Sequence, residues 1–175
     1  MYYIRKLSKP SSLYKIKALT DVKDLCADFL GQELRTSDNT LSVWRSETLD
    51  EAELNKAINA ALLASSQINT SQFLIFNSSD LSNAGIQVDD TQPGKTAYIG
   101  CEHLHTNLCD LTYEKIGKLL EIYCKVVNNS QLTPKIEKSM FKEIICEANK
   151  AGVLNMSALQ EHMQKEVGNL LENPV

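Results

Sequence analysis

The chain has 175 residues, a hydrophobic fraction of 43% and a formal net charge of -4, which together predict one globular domain with at most a small appendage. The acidic balance predicts a soluble protein and argues against a general nucleic-acid-binding surface. No apolar run approaches the length that spans a membrane, so we do not expect a membrane protein.

The first predicted elements lie in the N-terminal part of the chain. Tyr2-Tyr3-Ile4-Arg5 is typical of a β-strand, and Ser12 can cap a helix after the breaker Pro10. A second helical pattern follows Leu19-Thr20-Asp21 and ends near Gly31. Its apolar residues recur at helical spacing at Val22, Leu25, Cys26, Phe29 and Leu30.

The same segment is strongly basic, with six cations against the single acid Asp21 in its first 23 residues. The cations are Arg5, Lys6, Lys9, Lys15, Lys17 and Lys23. A solvated face is the simpler interpretation of such a run. The alternative is a docking patch for an acidic partner or for a phosphate backbone, with Arg5, Lys6, Lys9, Lys15 and Lys17 as the candidate nucleic-acid contacts.

The next predicted strand covers residues 40–45, where polar and apolar side chains alternate. Trp44-Arg45, with Arg35 nearby, is a candidate partner-binding surface because Trp and Arg are enriched at interface hot spots. A lone Trp on a strand is more often simply packed.

Two strong elements follow. Thr48 and Glu51 have the spacing of a capping box, which predicts the start of a helix there. The short run Phe73-Leu74-Ile75-Phe76 predicts a strand that is covered on both faces. A further strand is predicted from Thr96 to about Leu104.

Histidine and cysteine are concentrated in nine residues, which hold Cys101, His103, His105 and Cys109. On a strand, Cys101, His103 and His105 share one face at roughly 6.5–7 Å spacing, so two imidazoles and a thiolate can meet on Zn²⁺. The spacing differs from standard structural zinc sites, and packed, hydrogen-bonded imidazoles at a core edge are the simpler interpretation. Cysteine catalysis by Cys109, with His105 as base and Asp110 as orienting group, is a further alternative.

The thiols also bear on the compartment. Five cysteines are an odd number, and the start Met-Tyr-Tyr-Ile-Arg-Lys lacks the apolar stretch of a secretory signal. We therefore expect reduced thiols and a cytoplasmic location.

The C-terminal part predicts a two-helix hairpin at residues 131–171, joined to an α+β body at residues 1–127 by Asn128-Asn129-Ser130. Thr133-Pro134 is a start signal for its first helix, and Ser157 for its second. Met140, Phe141 and Met163 are candidate partner contacts, since methionine makes adaptable surfaces. Packing of the hairpin on the body's own sheet is the alternative.

The predicted fold is α+β: a small mixed or antiparallel sheet with packed helices and a C-terminal helical hairpin. The leading functional hypothesis is a non-catalytic accessory or adaptor subunit that binds a larger protein partner or self-associates. An immunity or antitoxin-type protein, or a component of a bacterial antiviral defence complex, is a guess within that class. Zinc binding through His103, His105 and a cysteine, and nucleic-acid binding through the basic N-terminus within a complex, are the alternatives. No cofactor is expected under the leading hypothesis.

Overall fold

The structure is a computed structural model, and it describes residues 1–19, 24, 27–34 and 36–172, with the backbone alone at 27, 28 and 30. Several residues of the sequence analysis lie outside this description. They are Thr20, Asp21, Val22, Lys23, Leu25, Cys26 and Arg35. The predicted helical stripe before Gly31 is therefore described only in its second half.

Six strands and seven α-helices form the described part of the chain. The strands are β1 (Tyr2–Lys6), β2 (Leu41–Ser46), β3 (Ser71–Asn77), β4 (Gln87–Asp89), β5 (His105–Cys109) and β6 (Lys135–Ile136). The helices are α1 (Ser12–Lys17), α2 (Ala27–Glu33), α3 (Glu51–Leu63), α4 (Ser78–Asn83), α5 (Tyr113–Val126), α6 (Lys138–Lys150) and α7 (Glu161–Glu172). No helix in the described ranges is long and apolar enough to cross a membrane.

All six strands form one antiparallel sheet in the order β4-β5-β2-β1-β3-β6. The first strand lies inside the sheet, where Ile4 stands opposite Trp44 of β2 and Ile75 of β3. This arrangement confirms the predicted α+β fold with an antiparallel sheet.

Each face of the sheet carries its own core because side chains alternate along the strands. On the first face, Leu74 and Phe76 pack in a cluster with residues of α1, α2, α4 and α5. On the second face, Phe73 and Ile75 pack with residues of α3, α6 and α7. All four side chains of this run are at most 1% exposed, which confirms the prediction of a strand covered on both sides.

The C-terminal helices belong to the second face. Phe141 and Ile145 of α6 and Met163 and Val167 of α7 are fully buried in the cluster that includes Ile4 of β1. The segment before α6 also joins the sheet, since β6 pairs with Ser71 and Gln72. Residues 131–171 therefore complete the core of residues 1–127 rather than stand apart from it.

The predicted strand from Thr96 to Leu104 is wrong. The chain between them makes its backbone hydrogen bonds to other elements: Ala97 N–H donates to Leu63 O, Ile99 N–H to Val153 O, and Gly94 N–H to Glu102 O. A 3₁₀ turn follows at Glu102–Leu104, and the strand begins only at His105. Gly100, with φ of 81°, supplies a backbone conformation that a strand does not contain.

Three helix starts also differ from prediction. Asp50, one residue before α3, accepts hydrogen bonds from the N–H groups of Ala52 and Glu53, in place of the predicted Thr48 cap. Thr133-Pro134 leads into β6, and α6 starts at Lys138. Ser157 lies in a 3₁₀ turn before α7.

Candidate functional site

The basic N-terminal segment presents its cations on α1. This short helix buries Ser12, Leu13 and Ile16 against the first core, so Tyr14, Lys15 and Lys17 point away from the protein. Tyr14 is 70% exposed, a large value for an aromatic side chain. Lys9, before the helix, is exposed as well.

Lys135 on the edge strand β6 extends this surface, because it lies within electrostatic range of the Tyr14 phenol. Its Nζ is 2.6 Å from Glu137 Oε1, and this hydrogen bond raises the pKa of Lys135. We name the set Lys9, Tyr14, Lys15, Lys17 and Lys135 the α1 face.

The lysines on and before α1 have no carboxylate partner among the described residues. Among the described residues, Lys9, Lys15 and Lys17 form no ion pair. Five lysines face carboxylates at 2.6–3.5 Å, in the pairs Lys56–Glu53, Lys118–Glu114, Lys135–Glu137, Lys138–Glu166 and Lys165–Glu161. The described part of the chain contains no ion pair for Lys95, Lys115, Lys125, Lys142 or Lys150 either. Within the described residues, Lys9, Lys15 and Lys17 of the α1 face therefore carry positive charge without an ion-pair partner, whereas Lys135 is paired with Glu137.

A buried carboxylate fixes the start of α1. Glu33, at the end of α2, is fully buried and accepts hydrogen bonds from Ser8 N–H at 2.7 Å, Ser8 Oγ at 2.5 Å and Lys9 N–H at 3.4 Å. The buried hydroxyl of Ser12 donates to the same carboxylate. These donors satisfy a charge that would otherwise be costly to bury, and they hold α1 in one position.

Arg5, a candidate nucleic-acid contact, is half-buried and its guanidinium is bonded within the protein. Its guanidinium donates to the carbonyl oxygens of Ser42 at 2.8 Å and Glu33 at 3.1 Å. Its Nε and the hydroxyl of Tyr123 are buried with no hydrogen-bond partner in the described part of the chain. Arg5 therefore contacts the end of α2 and β2 and stays half-buried.

Lys6 also departs from its predicted role. It points to the second face, and its half-buried Nζ donates to Ser65 Oγ at 2.5 Å. Burial lowers its pKa to about 8. Of the five predicted nucleic-acid contacts, only Lys9, Lys15 and Lys17 are therefore exposed as cations.

The predicted surface at Trp44 and Arg45 is largely closed. Trp44 is 7% exposed within the second core, and its ring meets the His105 ring edge-on at a centroid distance of 5.4 Å. Arg45 Nη1 lies 2.7 Å from Asp90 Oδ2. The predicted neighbour Arg35 lies outside the described residues.

The histidines and cysteines do not converge. Cys101 is buried and His103 is exposed in the turn, while His105 and Cys109 lie at opposite ends of β5. Four steps along the strand place the Cα atoms of His105 and Cys109 roughly 13 Å apart. Within the described ranges, no three His, Cys, Asp or Glu side chains are placed to hold a metal ion. The geometry expected for a zinc site depended on the strand that does not form.

The surroundings of Cys109 disfavour the thiolate form that nucleophilic catalysis needs. Burial, together with the charges of Asp89 and Asp110, raises the pKa of its thiol. Burial likewise raises the pKa of Cys101 and Cys124. A cysteine nucleophile needs the opposite shift, so these thiols favour a packing role.

The predicted contact residues of the C-terminal helices divide between surface and core. Met140 is 48% exposed, whereas Phe141 and Met163 are fully buried. Of these three candidate contacts, only Met140 is therefore at the surface, because Phe141 and Met163 pack in the second core.

Sequence reasoning missed Tyr14 and Glu33. An aromatic residue between basic positions is the signal that identifies Tyr14, since it follows Lys9 and precedes Lys15 and Lys17. No local pattern distinguishes Glu33 from a solvated glutamate, because its partners are more than 20 residues away in sequence.

No protein-family model, curated protein or solved structure matches this chain. The functional interpretation therefore rests on the residues described above.

Proposed function

We propose that this chain is a non-catalytic accessory or adaptor subunit that binds an acidic region of a larger protein partner through the α1 face. The observation that carries this proposal is the exposed Tyr14 ring beside Lys15 and Lys17, which form no ion pair with a carboxylate of the described residues. Aromatic side chains contribute much of the free energy at protein interfaces, and surrounding cations steer an acidic partner toward them.

The way α1 is held supports the same role. Its inward residues are buried and its start is bonded to Glu33, so the helix is already in position before a partner arrives. Binding by a preorganised surface loses less conformational entropy than binding by a mobile arm.

Charge distribution favours a protein partner over nucleic acid. The chain as a whole carries a net charge of -4, so a polyphosphate backbone that extends past the α1 face would be repelled by the remaining surface. An acidic segment of limited size needs only the local cations.

The thiols support the expected cytoplasmic setting of this role. Cys101, Cys109, Cys124 and Cys146 are all free. An immunity or antitoxin-type protein or a subunit of a bacterial defence complex remains our guess for the class of adaptor, and no described residue favours one of these over the other.

Charge reversal combined with cross-linking tests the proposal. The tagged full-length chain is purified gently from its native cell, beside the variants K9E/K15E/K17E and K95E/K125E/K150E, which change the net charge equally. We expect a stoichiometric protein with the native chain and the control variant, and its loss with the α1 variant. A carbodiimide should join Lys15 or Lys17 to aspartate or glutamate of that protein.

Tyr14→Ala sharpens the result, because it removes the ring without changing charge. We expect it to weaken the complex by about 2 kcal/mol or more, as at other interface hot spots. Retention of the partner by K9E/K15E/K17E would overturn the proposal. Binding that nuclease abolishes would replace it with nucleic-acid recognition, and a native mass of two copies would replace it with self-association.

A further inference from the structure

The edge strand β6 leaves the backbone groups of Lys135 open at one end of the sheet. In the antiparallel ladder with β3, Lys135 stands opposite Gln72. The next residue of β3, Phe73, donates its N–H to Pro134 O at 3.0 Å. The Gln72 carbonyl oxygen faces the other way and accepts from Leu7 N–H at 2.8 Å. Gln72 and Lys135 therefore form a non-hydrogen-bonded pair, in which the N–H and C=O groups of Lys135 point away from β3.

No strand of the described residues lies beyond β6, and none of their backbone hydrogen bonds outside the sheet ladders involves Lys135. An unpaired donor and acceptor at a sheet edge form a template for a further strand. The segment before Lys135 is fixed by the buried Gln72 side chain, whose Nε2 donates to Thr133 O at 2.7 Å and to Pro134 O at 3.0 Å. The open groups of Lys135 are therefore in position before a partner binds.

The Lys135 side chain lies on the same side of the sheet as α1. Cross-strand neighbours share a face, so Lys135 shares the face of Gln72 and, two residues along β3, of Leu74 in the first core. The helix α1 packs in that core, and Tyr14 is within electrostatic range of Lys135. Every second side chain of a strand added beside β6 would therefore point to the side of the sheet that carries the α1 face.

We propose that the acidic partner of the α1 face binds as an extended segment that pairs with Lys135 and adds a further strand to the sheet beside β6. This mode of binding rests on the proposed function and adds to it the conformation of the partner. Main-chain hydrogen bonds to Lys135 supply affinity, and acidic side chains at alternate positions meet Lys15 and Lys17. The amine of Lys135 itself is already bonded to Glu137.

Charge favours an acidic segment over a second copy of β6. Antiparallel pairing of two β6 edges through their open backbone groups would place Lys135 of one copy opposite Lys135 of the other, and like charges directly opposite destabilise a sheet. Lysine on an edge strand is a common device against such pairing. A segment with glutamate opposite Lys135 replaces this repulsion by attraction.

Two N-methylated peptides test the pairing on the full-length chain. The probe is a short peptide in which glutamate and threonine alternate, titrated at low salt into isotope-labelled protein and followed by NMR. If glutamate stands opposite Lys135, the glutamate N–H groups face β6 and the threonine N–H groups face away from it. We expect N-methylation of the glutamates to weaken binding about tenfold, whereas N-methylation of the threonines leaves binding unchanged. Amide hydrogen exchange of Lys135 should slow about tenfold when the parent peptide saturates the chain.

Charge variants separate this pairing from the proposed function. We expect K9E/K15E/K17E to lose the peptide and K95E/K125E/K150E to keep it. Binding that needs the α1 lysines, but leaves Lys135 exchange unchanged and is equal for both methylated peptides, would overturn the strand pairing and leave the proposed function standing. Protection of Lys135 that persists in K9E/K15E/K17E would instead contradict the role of the α1 face.

Two further outcomes would overturn the pairing. One is a parent peptide that does not bind, in which case co-purification still decides the proposed function. The other is protection of Lys135 without peptide in a dimeric chain, which would replace the acidic segment with a second copy.

Discussion

The backbone N–H of Ser8 donates to the buried carboxylate of Glu33 at 2.7 Å, and this contact joins the segment after β1 to the end of α2. Ser8 Oγ and the Ser12 hydroxyl bind the same carboxylate. A buried carboxylate is tolerated only while its donors are in place, so the segment that carries α1 and the end of α2 depend on each other.

Glu33→Gln tests this dependence. The side-chain amide nitrogen of the glutamine would face hydrogen-bond donors. We therefore expect the free energy of unfolding, measured by urea denaturation, to fall by roughly 2–4 kcal/mol. Glu121→Gln, at an exposed position of α5, is the control and should change little. An equal effect of the two substitutions would contradict the stabilising role of Glu33.

A second prediction concerns the loop that packs on His105. A Cβ atom added at Gly94 would lie 2.4 Å from the His105 Cβ, so Gly94→Ala must shift the loop or the ring. We expect a loss of about 1–3 kcal/mol in unfolding free energy.

Gly117 offers the matched control for that substitution. It lies in α5 with nothing within 4 Å of an added Cβ, so Gly117→Ala should stabilise the protein by about 0.5–1 kcal/mol. Equal unfolding free energies for the two alanine variants would show that the packing at Gly94 is looser than described.

The lowered pKa of Lys6 predicts that the stability of the protein depends on pH. Its pKa is lowered to about 8 on folding, so between that value and its unfolded pKa of 10.5 the unfolded chain binds more protons and stability rises with pH. The gain reaches at most about 3 kcal/mol, and below the folded pKa the full penalty remains.

Lys6→Met isolates this effect, because methionine keeps the chain length without a charge. The difference in unfolding free energy between variant and native protein should favour the variant most at neutral pH and shrink as the pH rises through about 8 toward 10. A difference that stays constant over this range would mean that Lys6 titrates normally.

The separation of His103, His105 and Cys109 predicts that metal removal has no effect on stability. Treatment of gently purified protein with EDTA should leave its melting temperature unchanged, and His103→Ala should behave like the native chain. Zinc near one equivalent per chain, with a lower melting temperature after EDTA, would instead establish a structural ion.

Local sequence patterns correctly predicted the elements in which the spacing of apolar side chains determines which sides are buried. The apolar run from Phe73 to Phe76 forms a strand with both faces covered, because four successive apolar side chains are buried most easily between two layers. The amphipathic pattern with Phe141 and Met163 predicted two C-terminal helices correctly. It did not show that these helices cover the sheet, since an apolar helix face fits a partner as well as its own protein.

The features that local patterns did not predict depend on contacts between residues that are far apart in the sequence. The chain from Thr96 to Cys101 has the composition of a strand, yet its backbone groups bond to Leu63 and Val153, which are far away in sequence. Arg5 and Glu33 look like surface charges in the sequence, but in the fold Glu33 is fully buried and Arg5 donates to the carbonyl oxygens of Ser42 and Glu33. The basic residues of the N-terminal segment predicted a candidate binding surface, but the sequence analysis did not identify Tyr14 as part of it.

The position of α6 and α7 has a consequence for biosynthesis. While a ribosome is still adding residues beyond Ser130, the side of the sheet that holds Ile4, Phe73 and Ile75 lacks the helices that later cover it. A nascent or prematurely terminated chain of that length would expose a hydrophobic surface that is prone to aggregation. A stop codon directly after Ser130 should therefore yield insoluble product, not a shortened working protein.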